Sequence, residues 1–255
     1  MEYISVICSD IGNTKQVNQD ASLVLKAETE MGNIAFAVVC DGMGGLDKGE
    51  LASTTAILGM QEWFENIFPG LLYSDFTYAS LKSSWLDTIL EVNERIRMYG
   101  EQIHINLGTT LTALLLVNDA YYICNIGDSR IYYIKDGVFQ LTRDQSFIQQ
   151  EIDMGRMTEE EAMYSKQRNV LLQCIGVSES VTPDFYCGEY GVDSAFVLCS
   201  DGFRHEISDE EMWNCLNPNF LSGEKQIEGN LRYLIDLVKS RGEQDNITAT
   251  LVSVR

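Results

Sequence analysis

The chain has 255 residues, 45% of them hydrophobic and 22% charged, with 3 prolines, a composition that excludes the disordered, collagen-like and fibrous classes. Lys plus Arg number 18 against 38 Asp plus Glu, a formal charge of −20; a field of that sign repels phosphate backbones and anionic headgroups, so neither nucleic acid nor a membrane is expected as a partner. A chain this long buries roughly 75% of the surface exposed when unfolded, and with no Gly-, Ser- or Pro-rich linker one domain over residues 1–255 is expected.

Met1–Val6 lacks a leader's basic stretch and apolar run, and no apolar run reaches the roughly 18 residues of a membrane helix, so a cytoplasmic chain is expected. The seven cysteines contain no C-x-x-C pair and several lie inside apolar runs. They read as buried free thiols of a reducing compartment.

In chain order, Ile4–Ser9, Ala21–Lys26 and Ile34–Cys40 read as strands. After a glycine-rich break a helix is expected from about Gly49 to Phe68. Leu81, Trp85, Ile89, Val92, Ile96, Tyr99 and Ile103 then recur at helical spacing, the core face of a second, long helix. Strands follow at Thr110–Val117, Tyr121–Ile126, Arg130–Lys135 and Val138–Thr142, with Asn118-Asp119 and Asp136-Gly137 as turns. From Asp144 to about Arg168 the text is polar and helical, with Thr158-x-x-Glu161 as a capping box. Further strands are expected at Val181–Cys187, Ala195–Ser200 and Ile247–Val254. Between the last two fall a helix opened by Ser208-x-x-Glu211 and another with Ile227, Leu231, Leu234 and Val238 on one face. Hairpins followed by helix pairs, twice over, predict an α+β fold, a four-layer α/β/β/α sandwich of stacked antiparallel sheets with helices outside.

Two segments share a form: Ala35–Cys40 runs into Asp41-Gly42, and Ala195–Ser200 into Asp201-Gly202. A carboxylate at a strand end is held rigidly yet projects past the core, and the glycine lets backbone or ligand approach closely. Asp20 opens a strand and Asp245 precedes the last one, so four aspartates could meet at one edge of the sandwich. Such a cluster calls for cations, and oxygen-only ligands favour hard ions, Mg²⁺ or Mn²⁺, over zinc.

The ordered series Asp10-Ile11-Gly12, Asn18-Gln19-Asp20, Val39-Cys40-Asp41-Gly42-Met43-Gly44-Gly45, Gly108-Thr109-Thr110, Gly127-Asp128-Ser129-Arg130, Leu141-Thr142-Arg143-Asp144, Ser200-Asp201-Gly202 and Asp245-Asn246 resembles the metal-dependent protein phosphatases of the type 2C family in their compact bacterial form. The resemblance covers the whole chain. It implies the same sandwich and a binuclear Mn²⁺ or Mg²⁺ centre hydrolysing phosphoserine and phosphothreonine in proteins through a bridging water, opposing a cognate bacterial Ser/Thr kinase. Residue by residue, it implies that Asp41 bridges both ions, the Gly42 carbonyl ligates one, and Asp201 and Asp245 complete the other. Asp20 would act largely through water, Asp128 would ligate a third ion, and residues of about 145–168 would form a flap. Lys15 stands where the family usually carries a phosphate-gripping arginine, supplying charge without the bidentate fork. Met43 replaces a histidine of animal members, as is common in bacterial ones, and Gln145 replaces the family's usual histidine.

Two competing readings accompany this one. Cys124 and Arg130 have the C-x5-R spacing of cysteine-dependent phosphatases, but Arg130 leads into strand text where that chemistry needs a helix N-terminus. A catalytically weak module that only binds phosphoproteins is the other, with Lys15 as its hint and the intact aspartates against it. His104 and His205 read as polar residues rather than metal ligands, His205 being near enough to Asp201 in sequence to support it.

Overall fold

The computed structural model describes residues 1–43, 48–74 and 76–255; Gly44 and Gly45 of the glycine-rich motif lie outside them. Along the chain come β1 (Tyr3–Asp10), β2 (Asp20–Thr29), β3 (Gly32–Met43), α1 (Gly49–Glu62), a π-helical turn (Trp63–Ile67), α2 (Phe68–Ser74), α3 (Tyr78–Ile103), β4 (Gly108–Thr109), β5 (Leu111–Val117), β6 (Ala120–Ile126), β7 (Arg130–Ile134) and β8 (Val138–Gln140). Then follow α4 (Phe147–Asp153), α5 (Glu159–Met163), β9 (Asp184–Glu189), β10 (Ser194–Cys199), α6 (Asp201–Arg204), α7 (Asp209–Leu216), α8 (Glu224–Ser240) and β11 (Ile247–Val254). One antiparallel sheet has the order β1-β11-β10-β7-β8, the other β2-β3-β5-β6-β9 with β4 added to the end of β3. The four-layer sandwich is as expected.

Alternation along β3 shows how the layers are made. Ile34, Phe36, Val38 and Cys40 pack under α1 and α3, while Ala35, Ala37 and Val39 face the other sheet and meet Phe196, Leu198 and Val252. Both faces are buried, so the strand reads as a continuous apolar run. The second sheet is covered by α6, α7 and α8, with Ile227, Leu231, Leu234 and Val238 of α8 fully buried, each worth roughly 1.5–3 kcal/mol of burial. The capping boxes at Thr158 and Ser208 form as predicted, and Asn118 and Asp119 turn with positive φ, as a two-residue hairpin requires.

Several expectations shift. The first helix passes through the π-helical turn to Ser74 instead of ending at Phe68. On α3 the core stripe holds from Leu81 to Ile96, but Tyr99 is 42% exposed and Gly100 is buried in its place, against the Ile105 carbonyl. The strand expected from Val181 begins at Asp184, because Pro183 has no N–H to give a ladder. Strand β8 stops at Gln140, where the Thr142 hydroxyl replaces the backbone and accepts from Ile131 N at 3.0 Å. Five cysteines are buried free thiols, but Cys215 is half-buried and Cys187 exposed. Among the described residues no helix is long and apolar enough to cross a membrane.

Candidate active site

At one end of the sandwich the layer between the sheets turns from apolar to polar. Val24 and Val252 are still core; one step along, Ser22 and Thr250 share a hydroxyl hydrogen bond of 2.6 Å across the sheets; one step further stand Asp20 and Ser200, whose Oγ donates to Asp20 Oδ2 at 2.8 Å. Asp20 and Asp41 are directly opposed in the β2–β3 ladder. Side chains so opposed lie about 5 Å apart, where two unit charges repel by about 3 kcal/mol at an effective dielectric of about 20.

The other sheet brings the rest. Asp201 follows β10 as the first residue of α6. Asp245 lies just before β11, its Oδ1 accepting from Asn246 N at 2.8 Å. Burial first, then the charges of Asp20, Asp201, Asp128 and Asp245, push the Asp41 carboxyl well above its ordinary range. Asp20 is pushed up to about 7 by burial and by Asp201 and Asp245, against hydrogen bonds from Thr248 and Ser200. The four strand-end aspartates therefore share one field.

Whether these residues suit a divalent ion can be read from their unsatisfied atoms. Among the described residues Asp20 Oδ1 and Asp201 Oδ1 are buried with no hydrogen-bond partner, an arrangement that a polar group keeps at a cost unless something positive meets it. Among the described residues no three Asp, Glu, His or Cys side chains close on one point. The donors at this end are carboxylate oxygens, the set that a hard ion takes with waters completing its shell. The residues present fit Mg²⁺ or Mn²⁺.

Gly42 packs where no side chain fits: a Cβ there would lie 2.3 Å from the Gly49 carbonyl oxygen and 2.5 Å from that of Gln19. The backbone of Asp41 is held by Thr110, whose N donates to Asp41 O at 2.9 Å and whose Oγ1 accepts from Asp41 N at 2.9 Å. Lys15 reaches the cluster, its Nζ 2.7 Å from Asp245 Oδ1. His205 sits beside Asp201, Nε2 at 3.8 Å from Oδ2, with Nδ1 3.1 Å from Glu243 Oε2.

The sequence did not disclose the roles of three supports. Asn246 ties down the loop carrying Lys15, donating to Ile11 O at 2.9 Å and Val17 O at 3.2 Å and accepting from Gln19 N at 2.9 Å. Its place beside Asp245 was the available signal. Gln145 is a buried staple: its side chain accepts from Gly127 N at 3.0 Å and donates to Asp184 Oδ2 at 2.8 Å, so an amide here joins the Asp128 loop to β9. Arg204 and Arg130 flank Asp128 and Asp144, Arg130 gripping Asp144 through two bonds of 2.8 Å. No sequence signal joined these four.

Asp128 is buried at the same end, its carboxyl pushed up to about 7 by burial and Asp201, with Arg204 opposing. The segment expected as a flap is rooted by buried Asp144, Gln145 and Ser146 and then carries the short helices α4 and α5. Cys124 is fully buried within β6, and burial pushes its thiol well up; Arg130 belongs to β7 and to Asp144. The C-x5-R spacing thus forms no phosphate cradle.

The protein phosphatase 2C family model matches residues 12–233. A Streptococcus pyogenes protein named as protein phosphatase 2C-type is 35% identical over 248 residues, covering 96% of this chain and 94% of that protein. The crystal structure of serine/threonine phosphatase Stp1 from Staphylococcus aureus superposes with a TM-score of 0.86 at 26% identity, covering 100% of this chain and 96% of that one. The catalytic domain of serine/threonine protein phosphatase PstP in complex with two manganese ions superposes with a TM-score of 0.78 at 27% identity, covering 99% and 98%.

Proposed function

The chain belongs to the protein phosphatase 2C family and is a serine/threonine protein phosphatase, and from that premise we propose that it dephosphorylates phosphoserine and phosphothreonine in proteins with two Mn²⁺ or Mg²⁺ ions, opposing a Ser/Thr kinase. The observation that carries this reading is the shared field of Asp20, Asp41, Asp201 and Asp245 from two sheets, with one buried oxygen each on Asp20 and Asp201 that meets no hydrogen-bond partner among the described residues. Asp41, the Gly42 carbonyl, Asp201 and Asp245 would hold the two ions, Asp20 acting through water. When bound, such ions supply Lewis acidity toward the phosphate and acidify an attacking water.

The chain's own residues do the rest. The β2–β3 ladder and the Thr110 hydrogen bonds fix Asp41, and Ser200 fixes Asp20, so the carboxylates are set before anything binds. Lys15 offers the substrate phosphate a positive point charge, without the planar fork of an arginine. No side-chain nucleophile is needed, and Cys124 is too deeply buried to be one.

Hydrolysis of p-nitrophenyl phosphate and of a phosphothreonine peptide tests this. EDTA should abolish activity, Mn²⁺ should restore it, and iodoacetamide and Cys124→Ser should leave it unchanged. Metal-independent turnover, or loss of activity in a folded Cys124→Ser protein, would overturn it. A module that only binds phosphoproteins would show no turnover with Mn²⁺.

A further inference from the structure

Two sets of aspartates share this end of the sandwich, and their charge is balanced differently. Asp20, Asp41, Asp201 and Asp245 are met by the Lys15 ammonium on Asp245, while the His205 ring beside Asp201 already serves Glu243. Negative charge is left over. Asp128 stands in a quartet with Asp144, Arg130 and Arg204. Arg130 holds Asp144 from one side; from the other, Arg204 Nη2 donates to Asp144 Oδ2 at 3.1 Å and to the Asp128 carbonyl at 3.3 Å, and stands 3.7 Å from Asp128 Oδ2. Two guanidinium groups face two carboxylates there, while Asp201 of the first set also bears on Asp128. The Arg204, Asp128 and Asp144 side chains are only 12%, 7% and 6% exposed, and charges so placed are stable when balanced within the protein. Arg204 Nε is buried without a partner among the described residues, and the two aspartates, both reached through Nη2, hold the guanidinium.

We propose that Arg204 is a built-in cation for Asp128, so that this chain takes divalent ions at Asp20, Asp41, Asp201 and Asp245 and binds one only weakly at Asp128. The inference rests on the binuclear reading above and deepens it, separating this chain from one with three strong sites. An ion beside Asp128 would come within a few ångströms of a fixed guanidinium, and at a buried position that repulsion is poorly screened. Arg130 would still hold Asp144 if Arg204 lost its charge, so Asp128 alone would be released.

Mn²⁺ titration calorimetry on the full chain tests this, independently of activity. Arg204→Gln should gain a Mn²⁺ site or tighten the weakest one by about tenfold or more. Arg204→Lys, which keeps the charge, should follow the parent isotherm, and the R204Q/D128N double variant should lose the gain. An R204Q isotherm superimposable on the parent's, or a gain that survives D128N, would overturn the proposal. Should Arg204→Gln fail to fold, the parent decides: a third Mn²⁺ as tight as the first two refutes it, and two ions at most at millimolar Mn²⁺ upholds it. A parent that bound no Mn²⁺ while R204Q bound one through Asp128 would sink the binuclear reading and leave this one standing.

Discussion

The dipeptide Asp-Gly stands at the end of β3 and just beyond β10, and the two ends fold differently. Asp41-Gly42 stays extended, because Gly108 and Thr109 of β4 lie alongside Met43 and Gly42 and take up the ladder. Among the described residues Asp201-Gly202 has no strand beside it, and it turns directly into α6, with Ser200 extended at the N-cap position. What the ends share is crowding at the glycine: a Cβ on Gly42 would meet the carbonyls of Gly49 and Gln19, and one on Gly202 would lie 2.2 Å from the Asn246 carbonyl oxygen. The shared text thus specifies a carboxylate followed by close backbone contact, and the neighbours decide whether strand or helix follows.

The most forceful way to break this comparison is to remove the carboxylates. Asp41→Ala and Asp201→Ala should each lower turnover at saturating Mn²⁺ by on the order of 10²-fold or more, since each removes a carboxylate that we propose positions an ion; near-parent turnover in either variant would show that its strand end is not part of the chemistry. Filling the crowded positions comes next. Gly42→Ala and Gly202→Ala should each destabilise by about 1–3 kcal/mol, with Gly42→Ala the worse because two carbonyls stand in the way, and thermal melts in EDTA would contradict this by showing no shift.

A third test separates the ends by pH. Asp20 and Asp41 have raised folded pKa values, Asp20 at about 7, from burial and from each other's neighbours. A carboxyl raised in this way keeps its proton longer when folded, so its contribution to stability is complete below about 4 and is lost as pH rises through about 7. The metal-free protein should melt lower at pH 8 than at pH 5.5, Mn²⁺ should remove most of that fall, and Asp41→Asn should flatten it; a flat parent profile in EDTA would contradict the shared field. The smallest effect concerns Lys15, on the Asp245 side. Lys15→Arg should lower the Michaelis constant for a phosphothreonine peptide a few fold, roughly 1 kcal/mol at most, with turnover unchanged, and Lys15→Ala should raise it. Equal constants in all three proteins would remove Lys15 from phosphate binding.

What could be read from the residues alone follows a physical line. Strand β11 was expected and found at Ile247–Val254, and the α8 face at Ile227, Leu231, Leu234 and Val238 is buried, because burial imposes a period that local text records. The placement of the four aspartates at strand ends was readable because each abuts an apolar strand in the sequence. The Asp128 quartet was not: Arg204 meets Asp128 across 76 residues and Asp144 across 60, and contacts at such separations leave no periodic trace. Gln145 shows the same limit, since its bonds to Gly127 and Asp184 depend on where β9 lies. Pro183 was a missed local signal that would have placed the start of β9 correctly.

The pairing of β1 with β11, Tyr3 opposite Val254 and Asp10 opposite Ile247, bears on the order in which the molecule is made. The sheet holding Asp20 and Asp41 draws its strands from residues 20–189 and contains neighbours close in sequence, such as β2–β3 and β5–β6. The other sheet joins β1 to strands synthesised much later, contacts of high sequence separation that form slowly. On the ribosome, β1 has no sheet neighbour until β11 emerges, and its half-apolar edge is then a surface for misassembly or chaperone capture. Because Asp201 and Asp245 belong to the late half, affinity for divalent ions should appear only when the second sheet closes, making metal uptake a late event in biosynthesis.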